Sequence, residues 1–231
     1  LYSMSIPEPH IVAEKSTEKN THSPLSFRHF VLGAIAIFVY VGVEVGIPNI
    51  ANLYMTGDLQ INATTAGTVV GTYWFLMLVG RLTGGVLGSK FSSKSMLSFA
   101  AVLGLVFVLL AIFLPKDQMV SMPVFQSDIS FGLAQVPVSI MLLVLCGLCT
   151  SVMWGGIFNL ATEGLGKYTA AASGIFMVMV CGGGIIPAIQ GYAADIFGYV
   201  QSYWVVVIGI SYMLFYALVG SKNVNKDIKV D

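Results

Sequence analysis

The chain has 231 residues, 56% of them hydrophobic and only 10% charged, with a mean hydropathy of +0.85. Soluble domains carry roughly 25% charged residues, so this composition is that of a membrane protein. The 11 basic and 11 acidic residues cancel, and no basic patch interleaved with aromatics is visible, which argues against a nucleic-acid partner.

The first 27 residues, including "PEPHIVAEKSTEKNTHSP", are polar and punctuated by proline, with no apolar core of the kind a signal peptide needs. They read as a cytoplasmic linker, the end of a loop inside which the chain begins. A spanning helix needs about 20 mostly apolar residues. Six such stretches come next, at 30–56, 65–88, 95–114, 137–162, 168–193 and 203–220, making one bundle over 28–220. A longer connection, from Pro115 to about Gln135, mixes polar and apolar residues along the membrane interface. Residues 221–231 read as a cytoplasmic tail.

Basic residues orient the spans. Lys15, Lys19, Arg28, Arg81, Lys90, Lys94, Lys167, Lys222, Lys226 and Lys229 fall on one side and Lys116 alone on the other, so both ends belong in the cytoplasm. Spans one, two, four and five carry Glu44, Asn49, Asn52, Tyr73, Asn159 and Gln190, whereas the third and sixth are nearly free of strong polar groups. Polarity thus repeats as rich, rich, poor. That is the pattern of 3+3 inverted repeats whose third helix faces lipid.

Within these spans the candidate residues come in chain order. Glu44 stands alone in "FVYVGVEVGIPNIANLYM", with no basic residue between Arg28 and Arg81. A charge at mid-bilayer costs about 2.5–3.5 kcal/mol on insertion scales, so it belongs against a cavity or a partner. It is read as a ligand contact and as a proton-coupling candidate. Helical spacing puts Tyr40, Glu44, Ile47 and Ala51 on one stripe; Pro48 kinks the helix beyond it, which leaves the phase of Asn49 and Asn52 open. Arg81 and the Gly-rich "GRLTGGVLGSKFSSK" read as a close-packing cytoplasmic end whose basic residues hold the loop inside. Tyr73 and Trp74 are aromatics suited to the C–H face of a sugar, or to packing. In "CTSVMWGGIFNLATEGLGKYT", Trp154 lies too deep for an interface belt and reads as a cavity residue, while Asn159 points to helix packing and Trp204 to the belt itself. "CGGGIIPAIQGYAADIFG" marks a broken or bent helix, and the amide of Gln190 suits either sugar hydroxyls or an interhelical bond.

Nothing suggests catalysis. No HExxH, GxSxG or Walker-type loop is present, and His10, His22 and His29 lie in or near the linker. Cys146 and Cys149 form a CxxC inside an apolar helix, where they read as small core residues with no disulfide framework. No metal or cofactor is expected.

These stretches resemble the second half of a major facilitator superfamily transporter, and more narrowly the fucose:proton symporter family with its glucose/galactose transporters. The resemblance rests on "YVGVEVGI" (40–47), "VGRLTGGVLGSKFS" (79–92), "SVMWGGIFNLATEGLGKYTAAASG" (151–174) and "GGGIIPAIQGYAAD" (182–195). It implies an all-α integral membrane fold in which these six spans are the last six of twelve. It also implies hexose import by proton symport, with two bundles rocking about a central site in the bacterial inner membrane. The implied partners are a sugar, a proton, the bilayer and the N-terminal six-helix half. Glu44 falls where relatives carry Glu or Gln, Trp154 where they carry a large or aromatic residue, and Gln190 on a Gln of the glucose/galactose branch. Gly155 and Gly156 depart from the Pro-Thr common there. The carboxylates credited with proton coupling in the family lie in its first half, which moves Glu44 toward sugar contact. The expected substrate-binding set is therefore Glu44, Tyr40, Asn52, Tyr73, Trp154 and Gln190. Two other readings stand beside it: a carrier of another solute, such as a nucleoside or drug, and a freestanding six-helix protein that dimerises.

Overall fold

The structure, a computed structural model, describes residues 22–225 together with 227, 228 and 230. Most of the expected linker, and Lys226, Lys229 and Asp231 of the tail, lie outside these described residues.

Six helices long and apolar enough to cross a membrane are present among them, close to the expected boundaries. The first is α1 (Arg28–Gly57), the second α2 (Ala63–Leu87) and the third α3 (Ser93–Phe113). Side chains of the preceding polar turns start two of them. Asn62 accepts the Thr64 N–H at 2.8 Å and Ser92 accepts the Ser95 N–H at 3.2 Å, the usual device for a helix's orphan donors.

The fourth span is interrupted, running as α4 (Val138–Ser151) and α5 (Met153–Thr162). So is the fifth, as α6 (Thr169–Met179) and α7 (Gly182–Phe197). This second break is the one expected at "CGGG". The sixth span comprises α8 (Tyr199–Ser202), α9 (Trp204–Phe215) and a π-helical turn over Tyr216–Gly220.

The mixed polar and apolar connection after α3 forms an antiparallel hairpin, β1 (Met119–Phe125) with β2 (Phe131–Pro137), paired from Met119↔Pro137 to Phe125↔Phe131. The fold is a six-helix bundle plus this one ribbon.

The packing closes under exchange of the two triplets. Span one lies against span five as span four lies against span two, and span three touches four as span six touches one. Spans one and four, each 67% buried, form the centre. Close approach there depends on missing side chains: a Cβ on Gly147 of α4 would sit 2.5 Å from the Tyr73 carbonyl oxygen, and one on Gly42 would strike Ile186. Spans three and six carry outward apolar rows such as Phe99, Val106 and Leu110, as lipid-facing helices should. Yet spans two and five are the least buried, at 33% and 17%.

Candidate functional site

Both central spans are irregular beside the cavity, at Pro48 and at Val152, and tyrosine hydroxyls bond backbone carbonyls at both places. Pro48 has no N–H, so the carbonyl of Glu44 one turn earlier has no helical partner. The Tyr73 hydroxyl of α2 donates to it at 3.0 Å and lies 3.1 Å from Thr150 Oγ1. The Tyr40 hydroxyl donates to the Thr150 carbonyl at 3.1 Å, beside the break at Val152. Tyr203 of the sixth span donates to the Ile47 carbonyl at 2.9 Å.

This framework presents Glu44 to a cavity of about 800 Å³. Its carboxylate accepts a hydrogen bond from Arg81 Nη2 at 2.7 Å, an ion pair between α1 and α2. The Glu44 side chain is 9% exposed and that of Arg81 53%, so the pair is half wetted, with the guanidinium facing the open side. Trp154 and Gly155 also line the cavity, and the indole sits edge-on to Tyr40 at 6.0 Å. From the pair the cavity runs past Gly84, Gly85 and Gly88 to Ser93 and Asn159, at the end of the bundle that holds both termini. Asn159 also donates to Ser93 Oγ at 3.3 Å. Helix geometry survives Gly155 and Gly156: the Gly156 N–H reaches the Val152 carbonyl at 3.2 Å, and nothing lies within 4 Å of a Cβ placed on Gly155.

Of the six expected residues, the structure brings Glu44 and Trp154 together at the cavity wall. Tyr40 and Tyr73 stand directly behind them, buried, with hydroxyls committed to backbone carbonyls rather than open to a ligand. Asn52 is on an exposed face of α1, about 12 Å further along the helix at 1.5 Å per residue. Gln190 lies outside the cavity, fully buried in the α1–α7 seam against Gly46, and its amide has no hydrogen-bond partner among the described residues.

The sequence reading places Arg81 at the cytoplasmic end of the second span and does not pair it with Glu44. It lies within α2, its guanidinium half exposed, and is the partner that Glu44 lacked in sequence. Among the described residues no group of His, Cys, Asp and Glu is placed to hold a metal.

Residues 32–227 match the Major Facilitator Superfamily. The chain belongs to that superfamily. It is 31% identical over 228 residues to a putative glucose/galactose transporter of Helicobacter pylori, covering 96% of this chain and 51% of that protein. It is 26% identical over 178 residues to the L-fucose-proton symporter of Escherichia coli K12, covering 74% of this chain and 35% of the symporter. A crystal structure of the superfamily transporter FucP in the outward conformation superposes with a TM-score of 0.70 at 21% identity, over 85% of this chain and 43% of that one. The chain thus spans about half the length of the glucose/galactose transporters it matches. It is a multi-pass membrane bundle with the fold of a superfamily half.

Proposed function

We propose that this chain is the C-terminal half of a secondary active transporter that imports a hexose together with a proton, by alternating access. In this reading residues 1–27 end the loop joining the halves, 28–220 form the bundle and 221–231 a tail. Both ends face the cytoplasm of a bacterial inner membrane. The names of the relatives support the substrate class. The observation that carries the reading is the Glu44–Arg81 pair and Trp154 lining one cavity. A carboxylate and a guanidinium together offer acceptors and donors to vicinal hydroxyls, and an indole offers an apolar face to the ring carbons.

Glu44 is assigned to sugar contact first. A proton on Glu44 would cancel the charge that holds Arg81, so the same pair couples protonation to the shape of the site. The driving force suffices: a proton falling through 100 mV yields about 2.3 kcal/mol, enough for about 50-fold accumulation at 1.36 kcal/mol per tenfold.

Uptake of labelled glucose and galactose by cells making the complete polypeptide, with and without an uncoupler, tests this. Uptake should be competed by unlabelled hexose, abolished by the uncoupler, and reduced on the order of tenfold or more by Glu44→Gln, which removes a charge-assisted hydrogen bond. Uptake indifferent to the uncoupler would remove proton symport. A protein that reaches the membrane and takes up no hexose would remove the sugar.

A further inference from the structure

The hairpin stands at an unexpected depth. It does not project from the end of the bundle but folds back along α2. The Phe125 N–H donates to Thr72 Oγ1 at 2.9 Å, and the Phe125 ring stacks on Phe75 at 4.5 Å. Phe131, the register partner of Phe125, packs edge-on against the same Phe75 at 5.7 Å. Thr72 and Phe75 are well inside α2. If the apolar layer begins at Leu87, a span of roughly 20 residues reaches back to Thr68. The turn-proximal pair of the ribbon then lies about 6–10 Å inside the hydrocarbon at 1.5 Å per residue.

At that depth lipid is the wrong neighbour. A two-stranded ribbon has two open edges of unpaired N–H and C=O groups, and such edges do not face hydrocarbon. The apex also carries Asp128, whose carboxylate takes hydrogen bonds from the backbone and hydroxyl of Ser130 at 3.2 and 2.6 Å. Outward between the strands sits a polar pair, Gln135 hydrogen-bonded to Ser121.

Bulk water is the wrong neighbour too. While Met122, Val124, Ala134 and Val136 turn inward, the outward side presents Ile129, Phe131 and Leu133 at 82%, 65% and 75% exposure. A mixed face of large apolar side chains, short polar groups and available edge hydrogen bonds is the chemistry of a protein interface.

We infer that the outward face of the hairpin seats against the other six-helix half of the transporter, as a re-entrant element inserted between the two bundles. The occupant is set by chain length, because relatives are about twice as long as this chain. The inference rests on the proposed reading that a second half completes the protein. No ribbon contact is needed to build the cavity, so the hairpin serves the seam between halves and the distant pair serves the substrate.

The test uses the complete polypeptide in native membranes, with Leu133 replaced by photoreactive benzoylphenylalanine and a protease site in the loop between the halves. After illumination and cleavage, the two halves should migrate as one band. The same replacement at Phe99, outward on the third span, should leave them separate. In parallel, Leu133→Cys in a Cys181→Ser background should react with a membrane-impermeant maleimide on the order of tenfold more slowly than in denatured protein, since labelling must wait on local opening. Crosslinks from position 133 to lipid or within this half alone, or labelling of Leu133→Cys at the denatured rate, would overturn the inference. Hexose uptake by the same variants is a separate readout. A protein that crosslinks yet transports no hexose keeps the interface and loses the substrate, whereas one that transports without crosslinking loses the interface alone.

Discussion

Removing Arg81 while leaving Glu44 in place is the most informative perturbation of the site. In Arg81→Leu the carboxylate, 9% exposed, keeps its desolvation and loses the one cation 2.7 Å away. Two unit charges about 4 Å apart attract by about 4 kcal/mol at an effective dielectric of 20. Because half of the guanidinium faces the cavity, water screens part of that, and roughly 2 kcal/mol of coupling is expected, about 30-fold. Truncating one partner of a buried pair costs more than removing both, because the remaining charge is stranded. Arg81→Leu should therefore be worse than Glu44→Gln/Arg81→Leu in folded yield and heat stability. The measurement is a double-mutant cycle of the two single variants and the double, read by thermal unfolding of the purified complete protein. Additive effects, with the double variant less stable than Arg81→Leu, would refute the pairing as a structural element.

Two further outcomes rest on the framework behind the pair. Tyr73→Phe removes the donor that serves the carbonyl freed by Pro48, and should cost about 1–2 kcal/mol; part should return in Tyr73→Phe/Pro48→Ala, where the helix again supplies an N–H, and thermal unfolding of the three variants checks it. Gly147→Ala puts a Cβ 2.5 Å from a backbone oxygen that cannot rotate away, and should cost about 1–3 kcal/mol as overpacking, whereas Gly155→Ala, with nothing within 4 Å, should leave the melting temperature unchanged.

The features legible in the sequence were those the bilayer imposes on any spanning chain. Span number, boundaries and the break near Cys181 all come from hydropathy and from glycine and proline. Glu44 was legible for the same reason, as a charge too costly to leave in lipid. Its partner was not, because Arg81 is close to basic residues that do lie in a loop, and counting charges for orientation absorbed it. The usable signal was that Glu44 and Arg81 are lone opposite charges inside two apolar runs, where each is expensive alone and cheap together. The tyrosines misled in a different way. An aromatic with a hydroxyl suits a sugar, but it suits an orphaned carbonyl equally well, and only the position of Pro48 relative to Glu44 distinguishes the two. The hairpin was hidden because "VSMPVF" and "FGLAQV" are short and interrupted by proline and glycine, weak strand signals whose pairing is settled by contact with Thr72 and Phe75.

Two irregularities of the bundle meet at one level. Pro48 in α1 and the break at Val152 are found in the first spans of the two triplets, which the packing pattern relates by exchange. Each unbonds backbone beside the cavity, and each is met by a tyrosine from across the seam, Tyr73 for Glu44 and Tyr40 for Thr150. The carboxylate therefore rides on a helix whose local support is a side-chain hydrogen bond rather than a ladder bond, and such a support can be exchanged without unwinding a turn. A charge placed on rigid helix could only bind. Placed here, beside a cation on the neighbouring span, its bond to Arg81 and its backbone's bond to Tyr73 tie α1 to α2 at two adjacent points. On the proposed reading, a change in the charge of Glu44 is felt in how those two spans pack, which is the coupling a proton symporter needs.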